Sequence, residues 1–253
     1  MTALSDNIKP DAMILRRLPG ERFSEVLPGW RGETVVILGG GPSLTLEQVA
    51  LVAEAHKLGR VKCVAVNDAY LLAPWADLDY AADSHWHAWH TAGISKPKLG
   101  LTAEQVRARW AAFAGQKCTI QNSGRNVQDD AVHMLRNKTF PNHSMGLSRD
   151  PCALITGWSS GFQALNLATL AGALLALLLG FDARDGQAES HWHGGHPRDM
   201  PVMAYEQFRR AFSMAEHDLT AAGVRVINCS PGSAINSFVK LPLAEALALE
   251  VEV

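Results

Sequence analysis

Two kinds of residue in this chain have the types and spacing to do chemistry. The first are glycines that let a backbone wrap an anion. Gly39, Gly40 and Gly41, then Pro42, Ser43 and Leu44, directly follow the apolar, β-branched run Thr34–Leu38. Glycines after a strand permit a tight turn and a close approach to a ligand. A helix that follows offers free N–H groups and the positive end of its dipole to phosphate. The loop is not a dinucleotide fingerprint, which would need a glycine where Leu44 stands. It is not a P-loop either, because no Gly-Lys-Ser/Thr follows. A bare strand–helix turn is the alternative, and the surrounding βαβ pattern favours phosphate.

The second kind are histidines and carboxylates. Residues 84–90 read SHWHAWH and residues 190–196 read SHWHGGH, so His-x-His-x-x-His occurs twice. Clustered imidazoles suit borderline metals or proton transfer. The second copy, His191, His193 and His196, is similar to the HxHxDH of metallo-β-lactamase-type hydrolases. Gly195 stands where that motif has aspartate, however, and a polar loop precedes it. A metal-dependent hydrolase therefore ranks last. The narrower expectation is that one histidine of 191–196 acts as a base or contacts phosphate. Asn67 and Asp68, Asp83, Asp182, and Asn228 with Ser230 each end a strand-like run. Ligands of open parallel sheets bind outside those ends, although such residues also cap turns. Ser159, Ser160 and Gly161 open an apolar helix, with Ser160 as its expected N-cap.

These residues need a frame. Strands are expected at 34–38, 61–66, 78–82, 117–121, 174–179 and 224–228, and order returns at 153–156 after the polar stretch. Helices are expected at 45–57 (N-cap Ser43 or Thr45), 103–113, 160–171, 204–221 and 242–249. Strands alternating with helices imply one α/β domain over 1–253: a Rossmann-like open, mostly parallel sheet flanked by helices. Residues 1–32 read as an irregular lead-in with some helical character. The polar stretch within 92–150 reads as an insertion or lid. The apolar run 164–181 is long enough to suggest a membrane span. Asn166, Thr169 and Gly172 interrupt it, so a buried helix and a buried parallel strand fit better.

Composition limits the partners. With 253 residues, 47% apolar and 19% charged, the chain can bury an ordinary core. A net charge of −2 lacks the basic footprint of a nucleic-acid binder. Cys63, Cys118, Cys152 and Cys229 form no CxxC pair and read as reduced, mostly buried thiols. The N-terminus lacks the apolar core of a signal peptide. A cytoplasmic protein without membrane attachment is expected, and homo-oligomerisation is left open.

Taken together, ILGGGPSL, VAVNDAYLLAPWADLDYAAD, SSGFQALNLATLAGALLALLLGFD, HWHGGHP and GVRVIN resemble the MptE-like Rossmann proteins. That family is named for the archaeal 6-hydroxymethylpterin diphosphokinase and includes phage-encoded members. It is similar in pattern to motility accessory factors and to bacterial sialyltransferases that use CMP-sialic acid. The resemblance runs from about residue 34 to 240. It implies that Gly39, Gly40, Gly41, Pro42, Ser43, Asn67, Asp83, Ser160 and Gly161 line a nucleotide pocket. It implies that Asp182 sits beside the phosphates or, with Asp83, holds Mg²⁺. It makes His193 or His196 the catalytic base. His85, His87 and His90 depart from the family, where Arg or Trp often follows the strand-end Asp. The leading expectation is a magnesium-dependent, ATP-using diphosphokinase acting on a small hydroxyl acceptor. The alternatives are transfer from a CMP- or other nucleotide-sugar and a non-catalytic nucleotide-binding protein.

Overall fold

Val35 to Leu38 are fully buried, as a strand covered on both faces requires. Leu175 to Leu179 are buried in the same way. These runs are β3 (Thr34–Leu38) and β9 (Leu175–Leu179), adjacent in a nine-stranded sheet. The structure is a computed structural model that describes residues 13–139, 145–184, 191–193 and 204–249. Beyond β3 the sheet continues through β4 (Lys62–Val66), β5 (Leu78–Tyr80), β6 (Gln116–Ile120), β7 (Val132–Asn137) and β8 (Ala153–Leu154). Beyond β9 lie β10 (Arg225–Asn228) and β11 (Val239–Lys240). Every neighbouring pair is parallel. The winding reverses between β3 and β9, which is where open α/β sheets bind ligands.

Strand alternation sorts the core into two layers. Val35 and Ile37 pack with Leu165 of α4 (Ser160–Leu170) and Phe212 of α5 (Ala204–Ala221). Val36 and Leu38 pack on the opposite face. Their partners there are α1 (Leu46–Lys57), α2 (Ser84–Ala92), α3 (Ala103–Ala112) and α6 (Leu243–Leu247).

The apolar run 164–181 is divided as expected. Gly172, at φ 95°, turns the chain between α4 and β9. Among the described residues no helix is long and apolar enough to cross a membrane. Asn166 is polar for a packing reason. Its amide is fully buried, accepts the Ser148 N–H at 2.9 Å and donates to the Ser148 carbonyl at 3.0 Å, tying a loop to α4. All four cysteines are free, and Cys63, Cys118 and Cys229 are buried.

Three regions differ from the sequence expectations. Residues Leu15–Arg17 and Ser24–Val26 form an antiparallel hairpin, β1 and β2, rather than a partly helical lead-in. Part of the segment read as an insertion builds the sheet itself, because β6 pairs with β5 and β7 pairs with β6. The first histidine repeat, for which no helix was expected, is helix α2. Its Trp86, His87 and His90 are buried against α3, with the rings of Trp86 and His90 stacked 3.8 Å apart.

Candidate functional site

The glycine loop leaves β3 and is stitched to the end of β9. Gly39 N–H donates to the Leu179 carbonyl at 2.7 Å, and Gly41 N–H to the Gly180 carbonyl at 2.8 Å. A Cβ on Gly39 would lie 2.7 Å from the Gly180 oxygen, and one on Gly41 would overlap the Asp182 carboxylate. Close packing of two strand ends therefore requires these glycines, whatever else they hold.

A cavity of about 540 Å³ opens at this crevice. Gly39, Gly40, Gly41, Asn67, Asp83 and Asp182 line it, and Ser160 and Gly161 face them. Pro42 and Ser43 are not among its lining residues. Ser43 turns instead to Asp182: its hydroxyl donates at 2.8 Å and its N–H at 3.2 Å, both to Oδ2.

That contact changes which helix start is open. The N-terminus of α1 is closed by a capping box: Thr45 Oγ1 accepts the Gln48 N–H, and the Gln48 side chain accepts the Thr45 N–H. With Asp182 on the Ser43 N–H, a carboxylate occupies the entrance to α1 where phosphate was expected. The start of α4 differs. Its N-cap is Ser159, not Ser160, and Ser159 makes no side-chain cap bond. Ser160 Oγ instead accepts the Ala82 N–H at 3.4 Å. Ser159, Ser160 and Gly161 all line the cavity, so this helix start presents its orphan N–H groups there. Gly161 is needed for a second reason, since a Cβ would meet the Phe181 ring at 2.6 Å.

Backbone strain gathers at the same place. Among the described residues, the non-glycine residues with positive φ are Asn67 (55°), Trp158 (58°) and Ala183 (44°). All three line the cavity. Such conformations cost on the order of 1–3 kcal/mol each and concentrate at ligand sites.

Sequence reasoning missed the far wall. Asn122 and Ser123 follow β6, and Asn137 ends β7. Their polarity marked them as loop residues, and only the pairing of β6 with β7 brings them to the crevice. Gln163 of α4 is fixed by the Tyr80 hydroxyl, which donates to Oε1 at 2.5 Å, and by its own bond to the Thr156 carbonyl at 2.7 Å. Trp158, Tyr205 and Phe208 add aromatic surface, and Trp158 is 44% exposed.

The second histidine repeat is divided. His191 lines the cavity, and Trp192 N–H donates to the Gly40 carbonyl at 3.1 Å. His193 does not line it. It is buried, with Nε2 3.1 Å from Asp68 Oδ2. His196 lies outside the described residues. In the first repeat, His85 stays exposed with Nδ1 3.1 Å from Asp83. His87 Nε2 lies 2.9 Å from the Ala81 carbonyl, and burial pushes its pKa down to about 4. Asp83 is the N-cap of α2, accepting the His85 N–H at 2.8 Å.

The two carboxylates of the cavity are thus engaged, Asp83 with a helix start and Asp182 with Ser43. Among the described residues no group of three or more His, Cys, Asp or Glu side chains stands ready to hold a metal ion. Mg²⁺ needs only one or two carboxylates when phosphate completes its shell, and Asp83 and Asp182 are the two carboxylates on the cavity wall among the described residues. No Lys or Arg lines the cavity among the described residues.

No family model matches the chain, and no curated protein matches it. Two solved structures of the sialyltransferase CstII from Campylobacter jejuni are similar to it. The complex with cytidine-5'-monophosphate has 13% identity and a TM-score of 0.46, covering 84% of this chain and 86% of that one. The complex with CMP-3FNeuAc has 10% identity and a TM-score of 0.47, covering 83% and 86%. The fold class follows from the sheet itself: a parallel, Rossmann-like α/β sheet flanked by helices.

Proposed function

We propose that this protein transfers a glycosyl group from a donor whose sugar is joined to one nucleotide phosphate, with a CMP-sugar as the first candidate. The observation that carries the reading is the charge of the cavity. Its lining carboxylates are Asp83 and Asp182, and no Lys or Arg accompanies them among the described residues. Two like charges 4 Å apart repel by about 4 kcal/mol at an effective dielectric of about 20. A triphosphate without a metal ion, with about four charges, is poorly matched to that wall. A single phosphodiester is matched by the uncapped start of α4. This favours the nucleotide-sugar alternative over the ATP-dependent diphosphokinase.

In this reading the donor phosphate rests on the N–H groups of Ser160 and Gly161. The base lies against the aromatic surface of Trp158 and Tyr205. The acceptor hydroxyl enters along Asn122 and Asn137. A histidine of the 191–196 segment takes its proton, and His191 is the one that lines the cavity among the described residues. The acceptor oxygen bonds to the anomeric carbon. The bond from that carbon to the phosphate oxygen breaks, and its electron pair leaves with CMP, where the start of α4 stabilises it.

A thermal-shift panel of CMP, UDP and ATP, with and without Mg²⁺, tests the reading. CMP should raise the melting temperature most, and EDTA should not alter that rise. A larger shift from ATP with Mg²⁺ would restore the diphosphokinase. His191→Ala and His196→Ala, assayed for CMP release from a CMP-sugar, should identify the base by a loss of about 10²–10⁴-fold in rate.

A further inference from the structure

The two histidine repeats meet at one buried carboxylate. Asp68, 3% exposed, follows cavity residue Asn67 at the end of β4. From the first repeat, His90 Nε2 lies 2.8 Å from Asp68 Oδ1. From the second, His193 Nε2 lies 3.1 Å from Oδ2. Lys96 Nζ, beyond α2, lies 2.8 Å from Oδ1. His90 and Lys96 are as buried as the carboxylate, at 0% and 2%. The other ring nitrogen of His90, Nδ1, lies 2.8 Å from the Trp86 carbonyl. Both His90 nitrogens thus face oxygens of the protein. Burial works against the charge on Asp68, yet the His90 bond and the His193, His90 and Lys96 charges overcome it and hold the carboxyl well below the usual range.

We propose that Asp68, preset by His90 and Lys96, is a positioning residue that clamps the 191–193 strap across the glycine loop through His193 and so sets His191 over the cavity. The strap has a second attachment on the loop, the Trp192 N–H bond to the Gly40 carbonyl. Directly before these two points the His191 ring lies beside His193, centroids 5.0 Å apart. Its Cδ2 stands 3.0 Å from where a Gly40 Cβ would be, so a side chain at position 40 would push it away. The clamp itself is independent of the proposed chemistry. Only its effect on ligand rests on the nucleotide reading.

Hydrogen exchange at the Trp192 amide reports the clamp without any ligand. A charge-assisted bond of this kind holds a segment strongly enough that its loss speeds local opening about tenfold or more. His193→Ala leaves Asp68 its two buried cations, so the fold should survive. The Trp192 amide should then exchange about tenfold faster, while the Gly41 amide and the strand amides keep their wild-type rates. His193→Gln, whose amide can donate to Asp68 from nearly the same place, should restore protection. Asp68→Asn should resemble His193→Ala at Trp192. Wild-type exchange at Trp192 in His193→Ala, or no recovery in His193→Gln, overturns the proposal. CMP affinity measured on the same variants should fall with the loss of protection. If CMP binds none of them, wild type included, the nucleotide reading fails while the exchange result still decides the clamp.

Discussion

Asp79 lies at the middle of β5, fully buried, and neither of its oxygens meets a hydrogen-bond donor among the described residues. Burial pushes its carboxyl well above the usual range. The charge on Asp68 adds to that, and Lys117 opposes it. Lys117 stands opposite Asp79 in register, but its ammonium donates to the Trp110 carbonyl at 2.7 Å and lies 4.4 Å from the centre of the Trp110 ring. Asp79 is therefore protonated in the fold at a pH where the unfolded chain, with a value near 3.9, has released the proton. The folded state binds the extra proton, so stability is full below the unfolded value and is lost as pH rises towards the folded one. The loss is about 1.4 kcal/mol per pH unit over that window. Asp79→Asn removes the titration and keeps the shape. Urea denaturation of both proteins at pH 5, 6 and 7 isolates the group, because every other titration cancels in the difference. The stability of Asp79→Asn relative to wild type should climb by about 1.4 kcal/mol per unit until the folded carboxyl ionises, then level off. A constant difference would mean that Asp79 titrates alike in both states. A difference that shrinks with pH would mean that the ionised form is stabilised. Either result refutes the reasoning.

Other substitutions test the frame around the cavity. Gly41→Ala drives a Cβ into the Asp182 carboxylate and should break both Ser43 bonds, costing about 3 kcal/mol by denaturation and abolishing CMP binding. Asn166→Leu leaves the buried Ser148 N–H and carbonyl without their partner. It should cost about 2–5 kcal/mol and loosen 147–155 in hydrogen exchange. Thr45→Ala opens the capping box of α1 and should lower stability by about 1 kcal/mol, read from the urea midpoint, while leaving CMP affinity unchanged.

What the sequence alone determined was the alternation. Continuous apolar runs such as TVVIL and LALLL mark strands buried on both faces, because apolar side chains pack there at no desolvation cost where helices cover each side. The helices between them follow, and with them the crevice beyond Gly39–Gly41 and the rim of Asn67, Asp83 and Asp182. Where local pattern and tertiary role diverge, the sequence was silent. VHMLRN carries His, Arg and Asn, yet forms β7 because the free edge of β6 supplies its ladder. LRR and SEV are too short and too charged to signal a hairpin. SHWHAWH becomes a buried helix face because α3 packs Trp110 against it. The chemistry of the site was decided later still. Whether α1 or α4 offers its N–H groups depends on Ser43 meeting Asp182, 139 residues away. Among the described residues His191 reaches the cavity, while His193 lies against Asp68. Hydrogen bonds between distant segments have no local signature, so the chain reveals which groups are available and the fold assigns each its partner.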